Sequence, residues 1–177
     1  MRDGFTIEPA RESDLTALPA IELAANEMFE GTGLLPALED DFTDPEEFRD
    51  ALLGGRLWVA RAPGGEPVGF ALVELLDGRP HLEEMDVMPS HGRRGLGRAL
   101  LEAVFAWARR EGHASVTLTT FRDLPWNAPF YTRAGFRALA SHEVDPTLAA
   151  LVRDEASRGL EPEKRVVMRR RLGEGTE

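Results

Sequence analysis

The sequence predicts an α/β (α+β) fold, with a mixed, mostly antiparallel central sheet flanked by helices on both faces. Two patterns predict it. Runs of β-branched and apolar residues alternate with segments of helical spacing, and several strand candidates are joined by short turns. With 177 residues, 42% of them hydrophobic, the chain can bury one sizeable core, and neither a repeat nor a linker interrupts it. We therefore expect a single domain over residues 1–177.

Seven segments predict strands, because apolar and β-branched residues alternate or run together between turn residues. The link from Pro63 to Pro67 is rich in turn residues and predicts that two of the strands form an antiparallel hairpin. A short strand-like piece follows Phe136. The other six strands are predicted at Phe5–Pro9, Leu57–Ala60, Val68–Val73, His81–Met88, Ser115–Phe121 and Arg165–Met168.

Five segments predict helices. The clearest has apolar residues at helical spacing from Leu96 to Ala108 and stops at Gly112. Ser13 is expected to cap the first helix, although Pro19 favours a kink or a later start. The remaining helices are predicted from Asp44-Pro45 to Gly54, from Asn127 to Arg133 and from Thr147 to Arg158, and residues 31–44 are expected to form a loop.

Composition excludes several classes of protein. The formal net charge of −10 argues against a nucleic-acid partner, since phosphate binding needs a basic surface. Zero cysteines exclude disulfides and thiolate metal sites, and the four histidines, which we expect at the surface or in turns, lack metal-ligand spacing, so we expect no metal. Charges near the N-terminus and apolar runs interrupted by Glu74 and Glu102 predict neither an export signal nor a membrane span. We therefore expect a cytoplasmic protein.

The segment from Val87 to Arg98 predicts an anion-binding turn between a strand and the clearest helix. Its glycines allow positive φ angles and close approach of the backbone to a ligand. The N–H groups at the start of the helix and the nearby arginines would then attract a phosphate. The alternative is that Gly95 and Gly97 only shape a tight turn.

Spacing argues against two familiar phosphate sites. Gly92 and Gly97 fit the glycines of a P-loop, but Arg98 and Ala99 follow where Lys and Ser or Thr are needed. A dinucleotide fingerprint would need a third glycine where Leu100 stands, and the motif follows the fourth predicted strand. A nucleotide-triphosphate site is therefore excluded, and a dinucleotide site is the weak alternative.

The chain resembles the GCN5-related N-acetyltransferase (GNAT) family in two linked motifs. The family's acyl-CoA loop reads Gln/Arg-x-x-Gly-x-Gly/Ala, and Gly95 and Gly97 match its last two positions. Gly92 replaces the usual Gln or Arg, a departure for which the two following arginines can compensate. The segment Trp126–Phe136 is similar to the family's Asn…Phe-Tyr-x-x-x-Gly-Phe segment. The residue-specific resemblance covers Leu82–Phe136.

This resemblance implies an N-acetyltransferase that moves an acetyl group from acetyl-CoA to a primary amine of a small molecule or peptide. Direct attack in a ternary complex is expected, since no cysteine can carry the acyl group. Two alternatives stay open: an acyl-CoA-binding regulator without turnover and, more weakly, an NAD(P)-dependent oxidoreductase. A homodimer also stays open.

The resemblance also implies roles for individual residues. Tyr131, the only tyrosine, would protonate the leaving thiolate, because a hydroxyl with a pKa near ~10 is protonated at neutral pH. The base is expected on the strand that enters the loop, where Glu84 is preferred and Glu83 stays open. The residues expected to bind acetyl-CoA are Val87, Met88, Gly92, Arg93, Arg94, Gly95, Leu96, Gly97, Arg98, Asn127 and Phe130.

An acidic segment from Glu22 to Asp50 contains ten acids and one base. One interpretation is an exposed helix face that charge keeps soluble. The other is the rim of an acceptor site, which would then favour a cationic or polyamine-like acceptor with an apolar part.

Overall fold

The computed structural model describes residues 4–39 and 41–173. Seven strands form one sheet in the order β1-β2-β3-β4-β5-β7-β6. The strands are β1 (Thr6–Pro9), β2 (Leu57–Arg61), β3 (Pro67–Leu76), β4 (Arg79–Val87), β5 (Ser115–Phe121), β6 (Arg137–Ala138) and β7 (Arg165–Arg171). The α-helices are α1 (Leu18–Asn26), α2 (Leu35–Leu38), α3 (Pro45–Leu53), α4 (Leu96–Arg110), α5 (Ala128–Arg133) and α6 (Pro146–Ser157).

The pairing of the strands confirms the predicted mixed, mostly antiparallel sheet. β1 pairs antiparallel with β2, and β2 with β3, as the turn-rich link predicted. β7 pairs antiparallel with both β5 and β6. β4 and β5 run parallel and pair at His81 and Thr117. Their connection passes through α4, as a parallel pair requires.

The chain divides into two compact units, which we describe separately. The first holds the chain up to Val73 and Glu84–Val104. Its core is an apolar cluster from α1, α3, β2 and β3, in which the rings of Phe48 and Phe70 meet edge to face at 5.3 Å. The buried members of this cluster are Leu18, Ile21, Phe48, Ala51, Leu57, Val59, Phe70 and Leu72. A buried ion pair between Arg61 and Asp14 lies in the same unit.

The second unit holds Glu74–Glu83 and the chain from Phe105 onward. Its aromatic core brings the rings of Phe105 and Tyr131 within 6 Å of Phe136, at 5.8 and 5.7 Å. The guanidinium of Arg170 lies over Phe105 at 3.9 Å and donates a hydrogen bond to the carbonyl of Ala134. These contacts fix α5 against β7.

Two local predictions were wrong. Ser13 does not cap the first helix, because it lies in a single 3₁₀ turn and α1 begins only at Leu18. The reason is Pro19, which lacks an N–H and is tolerated only in the first turn of a helix. The segment predicted as a loop contains the short helix α2. By contrast, Asp44 caps α3 as predicted, since its carboxylate accepts the N–H of Glu46 at 2.8 Å.

No helix within residues 4–39 and 41–173 is both long enough and apolar enough to cross a bilayer.

Candidate active site

The turn between β4 and α4 has the backbone conformation that anion binding needs. Gly95 takes a φ of 78°, a left-handed conformation that favours glycine. The first helical hydrogen bond of α4 runs from the N–H of Ala99 to the carbonyl of Gly95. The N–H groups of Leu96, Gly97 and Arg98 precede that bond, so they have no acceptor within the helix and carry its positive dipole end. The turn can therefore hold a phosphate through its main chain.

The predicted loop residues differ in what they can offer. Leu96 is 2% exposed, so its backbone rather than its side chain is available to a ligand. Arg93, Arg94 and Arg98 are exposed. Gly92 has a φ of −61°, which any residue adopts, whereas Arg93 takes a φ of 60°. The conformational requirement for glycine thus falls on Gly95 and not on Gly92.

Phe5, which the sequence analysis did not connect with the site, braces this turn. Its ring meets His91 edge to face at 5.9 Å, and the guanidinium of Arg94 lies over the same ring at 5.5 Å. A cation over an aromatic face is attracted by the ring quadrupole. The start of the chain therefore orients one of the arginines of the turn.

Val87 and Met88, both expected to bind acetyl-CoA, lie at the end of β4 and differ in how their backbone groups are used. The N–H of Met88 donates to the carbonyl of Val68 at 2.9 Å, so this donor is already used within the sheet. Because successive residues of a strand direct their backbone groups to opposite edges, those of Val87 point away from β3. The backbone of Val87 is therefore the better candidate for pairing with pantetheine. The side chain of Met88 packs on the apolar cluster of the first unit.

The two candidate bases lie on opposite faces of β4. Glu84 is half-buried, and one of its carboxylate oxygens accepts the N–H of Met85 at 3.2 Å. The side chain of Glu83 is 25% exposed, and its Oε2 lies 3.8 Å from Nε2 of His81. A backbone donor thus holds the carboxylate of Glu84, while the carboxylate of Glu83 lies beside a buried imidazole.

His81 is buried, although the sequence favoured a surface histidine. It is 1% exposed, and its Nδ1 lies 2.9 Å from the hydroxyl oxygen of Thr117. Burial, together with the positive charge of Arg165, lowers the pKa of His81 to about 4. The imidazole is therefore neutral at neutral pH and orients its neighbours through hydrogen bonds.

Asn127, Phe130 and Tyr131 come together at the start of α5, in the second unit. The side-chain N–H of Asn127 donates to Thr120 at 2.9 Å, while its buried Oδ1 has no hydrogen-bond partner. Tyr131 is 9% exposed and packs edge to face on Phe130 at 5.2 Å. A buried amide oxygen without a donor is costly, so it marks a place where a ligand N–H can bind.

Two acidic residues of the first unit, Glu22 and Asp86, lie in buried environments that the sequence did not predict for them individually. Glu22 is 3% exposed and lies on the buried face of α1 with Ile21 and Ala25. The sequence did offer one signal for the burial of Glu22. It stands where helical spacing predicts an apolar residue, and an acid at such a position is unusual. Burial raises the pKa of Asp86 well above its ordinary value, and the charge of Glu22 raises it further.

No group of three or more His, Asp or Glu side chains in the described part of the chain is placed to hold a metal ion.

Comparison with known proteins places this arrangement among acetyltransferases. The profile of the acetyltransferase (GNAT) family matches residues 20–136. That range includes both β4 and α5, with the turn and Tyr131.

Solved structures of low sequence identity share the fold. N-acetylglutamate synthase from Neisseria gonorrhoeae, complexed with coenzyme A and N-acetyl-glutamate, is 18% identical with a TM-score of 0.69. The match covers 97% of this chain and 36% of that one, so the chain spans about a third of that protein. The ribosomal-protein-S18-alanine N-acetyltransferase from Escherichia coli is 19% identical, with a TM-score of 0.65 and coverage of 98% and 97%. PaiA N-acetyltransferase from Thermoplasma acidophilum, in complex with coenzyme A, is 13% identical, with a TM-score of 0.65 and coverage of 94% and 98%.

Proposed function

Because the chain belongs to the acetyltransferase (GNAT) family, we propose that it transfers an acetyl group from acetyl-CoA to a primary amine by direct attack in a ternary complex. The observation that carries this proposal is the turn after β4, where Gly95 and the first turn of α4 direct N–H groups at one point. Coenzyme A carries a pyrophosphate, the kind of anion that such a turn binds. Acetyl-CoA is the donor, and the alternative activities of regulator and oxidoreductase are not favoured.

The residues of the chain fit this donor in two further respects. Arg93, Arg94 and Arg98 surround the turn with exposed positive charge, which suits a ligand with several phosphates. The unpartnered Oδ1 of Asn127 can accept one of the amide N–H groups of pantetheine. We propose that Phe130 lines the same channel and that the backbone of Val87 pairs with pantetheine as an added strand would.

The chemistry requires one proton to leave the amine and one to reach the sulfur. An alkyl amine is mostly protonated at neutral pH, so a base must accept its proton before attack. We assign that role to Glu84 in preference to Glu83, because Glu84 shares a strand face with Met88, which packs against the α1 cluster. Tyr131 would donate its hydroxyl proton to the thiolate that leaves.

The wider setting of the enzyme is also a proposal. We propose one acyltransferase domain over residues 1–177, acting in the cytoplasm on a small-molecule or peptide amine. A homodimer is compatible with this proposal but is not needed for it.

A pair of glycine substitutions tests the donor site. Gly95 and Gly112 have φ angles of 78° and 79°, and a Cβ at either position would meet no atom within 4 Å. Gly95→Ala and Gly112→Ala should therefore lose similar stability, about 1 kcal/mol each. Only Gly95→Ala should weaken the binding of coenzyme A in calorimetry, because its methyl group would project into the anion site. Equal affinities for the two variants would contradict this site.

A second experiment tests turnover and the acid. A thiol-release assay with acetyl-CoA and a panel of primary amines should detect turnover, and Tyr131→Phe should lower kcat about 100-fold or more while the affinity for coenzyme A changes little. Arg133→Ala, an exposed change in the same helix, serves as the control. Unchanged turnover in Tyr131→Phe would remove this residue from the mechanism, and no thiol release with any amine would refute the proposed function.

A further inference from the structure

Glu22 occupies a position that the first unit would ordinarily fill with an apolar residue. It lies on α1 with Leu18, Ile21 and Ala25, all buried at helical spacing. Its own side chain is 3% exposed. Burying a carboxyl group is costly unless a partner satisfies both of its oxygens.

One oxygen of Glu22 is held in place and the other is left over. The backbone N–H and the hydroxyl group of Thr43 both donate to Oε1, at 2.9 and 3.0 Å. Oε2 is buried and has no hydrogen-bond partner. The side chain is thus fixed by one oxygen, while the capacity of the other oxygen to accept a hydrogen bond is unused.

Asp86 faces the same side of the sheet as α1. Asp86 lies two residues before Met88 in the chain. Because successive side chains of a strand alternate between its faces, both side chains project to the same face. Met88 packs against the cluster that contains Leu18 and Ile21 of α1. Asp86 is half-buried, whereas Glu22 is 3% exposed.

The charges that act on this pair are negative. Burial raises the pKa of Glu22, the hydrogen bonds from Thr43 oppose that change, and the charges of Asp41 and Glu47 add to it. Burial and the charge of Glu22 raise the pKa of Asp86. A second carboxylate in this place is therefore unfavourable until a cation joins the pair.

The acidic segment from Glu22 to Asp50 also carries exposed apolar side chains. Leu23, Met28 and Phe42 are 61%, 40% and 41% exposed. A segment with both acids and exposed apolar side chains suits a ligand that has both an alkyl chain and a positive charge. A carboxylate-bearing ligand would be repelled.

We propose that Glu22 and Asp86 bind an alkylammonium group of the acceptor, a second positive charge besides the amine that receives the acetyl group. The inference rests on the proposed function and gives the acceptor a chemical class, an alkyl diamine or a longer polyamine. Glu84, the proposed base, lies two residues before Asp86 on the same strand face, about 7 Å along the strand. That spacing matches the distance between the two nitrogens of a short diamine.

Binding of the cation changes the protonation of the pair. Burial and mutual repulsion favour the protonated form of the pair, whereas an ammonium that forms hydrogen bonds with both carboxylates favours their ionised form. The displaced proton goes to solvent. Proton release on binding is a signature that a merely structural pair of acids would not give.

The kinetic test compares 1,4-diaminobutane with n-butylamine in the thiol-release assay. We expect kcat/KM to favour the diamine at least 10-fold in the wild type and the ratio to fall close to 1 in Asp86→Asn and Glu22→Gln. Glu30→Gln removes an exposed charge from the same acidic segment and should keep the wild-type ratio. A wild type without preference for the diamine, or a preference that survives in Asp86→Asn, would overturn the inference.

A binding test separates this inference from the proposed function. Calorimetry of 1,4-diaminobutane without acetyl-CoA, in two buffers of different ionisation enthalpy, should show proton release in the wild type and little binding in Asp86→Asn. If the diamine binds in this way but no amine gives thiol release, the proposed function fails and the cation site stands. If both amines are acetylated equally well and the diamine binds without proton release, the cation site fails and the proposed function stands. Asp86 is half-buried and Asn has the same shape, so this variant gives a result even where Glu22→Gln does not fold.

Discussion

Asp14 and Glu22, two acids of the first unit, are almost equally buried, yet their pKa values shift in opposite directions. Asp14 is 4% exposed and meets Arg61 at 2.6 Å, while a backbone N–H of Arg11 also donates to it at 2.7 Å. Burial alone would raise the pKa of Asp14, but these hydrogen bonds outweigh it and lower the pKa. Glu22 is 3% exposed, has one oxygen without a partner, and has a raised pKa.

The contrast separates a structural acid from a binding acid. A buried carboxylate that meets an arginine is already satisfied, so it stabilises the fold and has little to offer a ligand. A buried carboxyl group that has no cationic partner and lies near other acids lowers stability at neutral pH, and a cationic ligand would relieve that cost. The chain keeps both kinds within one unit, which argues that the second kind is retained for binding.

The largest expected effect on stability is at Asp14, the acid that is paired with Arg61. Asp14→Asn leaves the buried guanidinium of Arg61 with Glu8 as its remaining acidic partner. Because an uncompensated buried charge is costly, we expect the free energy of unfolding to fall by about 3 kcal/mol, measured by urea denaturation. Glu12→Gln, an exposed change in the same 3₁₀ turn, should stay within about 0.5 kcal/mol. A similar small loss for Asp14→Asn would erase the distinction between the two regions.

A smaller loss of stability is expected at Glu155, a buried acid of the second unit that is also paired with an arginine. Glu155 is 5% exposed and accepts two hydrogen bonds from Arg165, at 3.0 and 3.3 Å. Glu155→Gln should lower the free energy of unfolding by about 2 kcal/mol, less than at Asp14, because Arg165 keeps its bond to Thr119. Asp154→Asn on the same helix is exposed and provides the matched control. Denaturation midpoints that are the same for both variants would contradict the expectation.

The smallest effect should have the opposite sign. Asp86→Asn removes a carboxyl group whose ionisation is opposed by burial and by the charge of Glu22, so the free energy of unfolding at pH 7 should rise by about 1 kcal/mol. The folded pKa values of Glu22 and Asp86 lie above the unfolded value near ~4, so their contribution is present below that value and is lost as pH rises through the folded pKa. Asp14 behaves in reverse, since its contribution is lost as pH falls through its lowered pKa.

Urea denaturation across a pH series distinguishes the two signs. The decline of wild-type stability above the ordinary carboxyl pKa should flatten in Asp86→Asn, and the decline below it should flatten in Asp14→Asn. Profiles of the wild type and Asp86→Asn that run parallel would mean that Asp86 titrates normally.

Sequence alone predicted the fold and the glycine turn between β4 and α4, because both depend on local patterns. The hairpin between β2 and β3, helix α4 and the glycine turn follow from residue spacing that a reader can see in the chain. Pro19 predicted either a kink in the first helix or a later start, and α1 shows the later start. The role of the Met88 N–H was not visible, because the edge to which a strand residue directs its donor depends on its pairing with β3.

The burial of Glu22 and His81 was harder to predict for a physical reason. An acid in a helix is ordinarily solvated, so Glu22 reads as a surface residue until the packing of α1 against the sheet is known. His81 was misjudged in the same way, since its burial depends on the parallel pairing with Thr117 of β5. In both cases a contact between residues distant in sequence decides the environment of the titratable group.

The place of β7 in the sheet affects how the protein can be made. β7 follows every other strand in the chain, yet it lies between β5 and β6. On the ribosome, β5 and β6 therefore emerge with edges that nothing can cover until residues 165–171 leave the exit tunnel. Exposed strand edges promote aggregation, so nascent chains that stall before this point should depend on chaperones in a way that the finished enzyme does not.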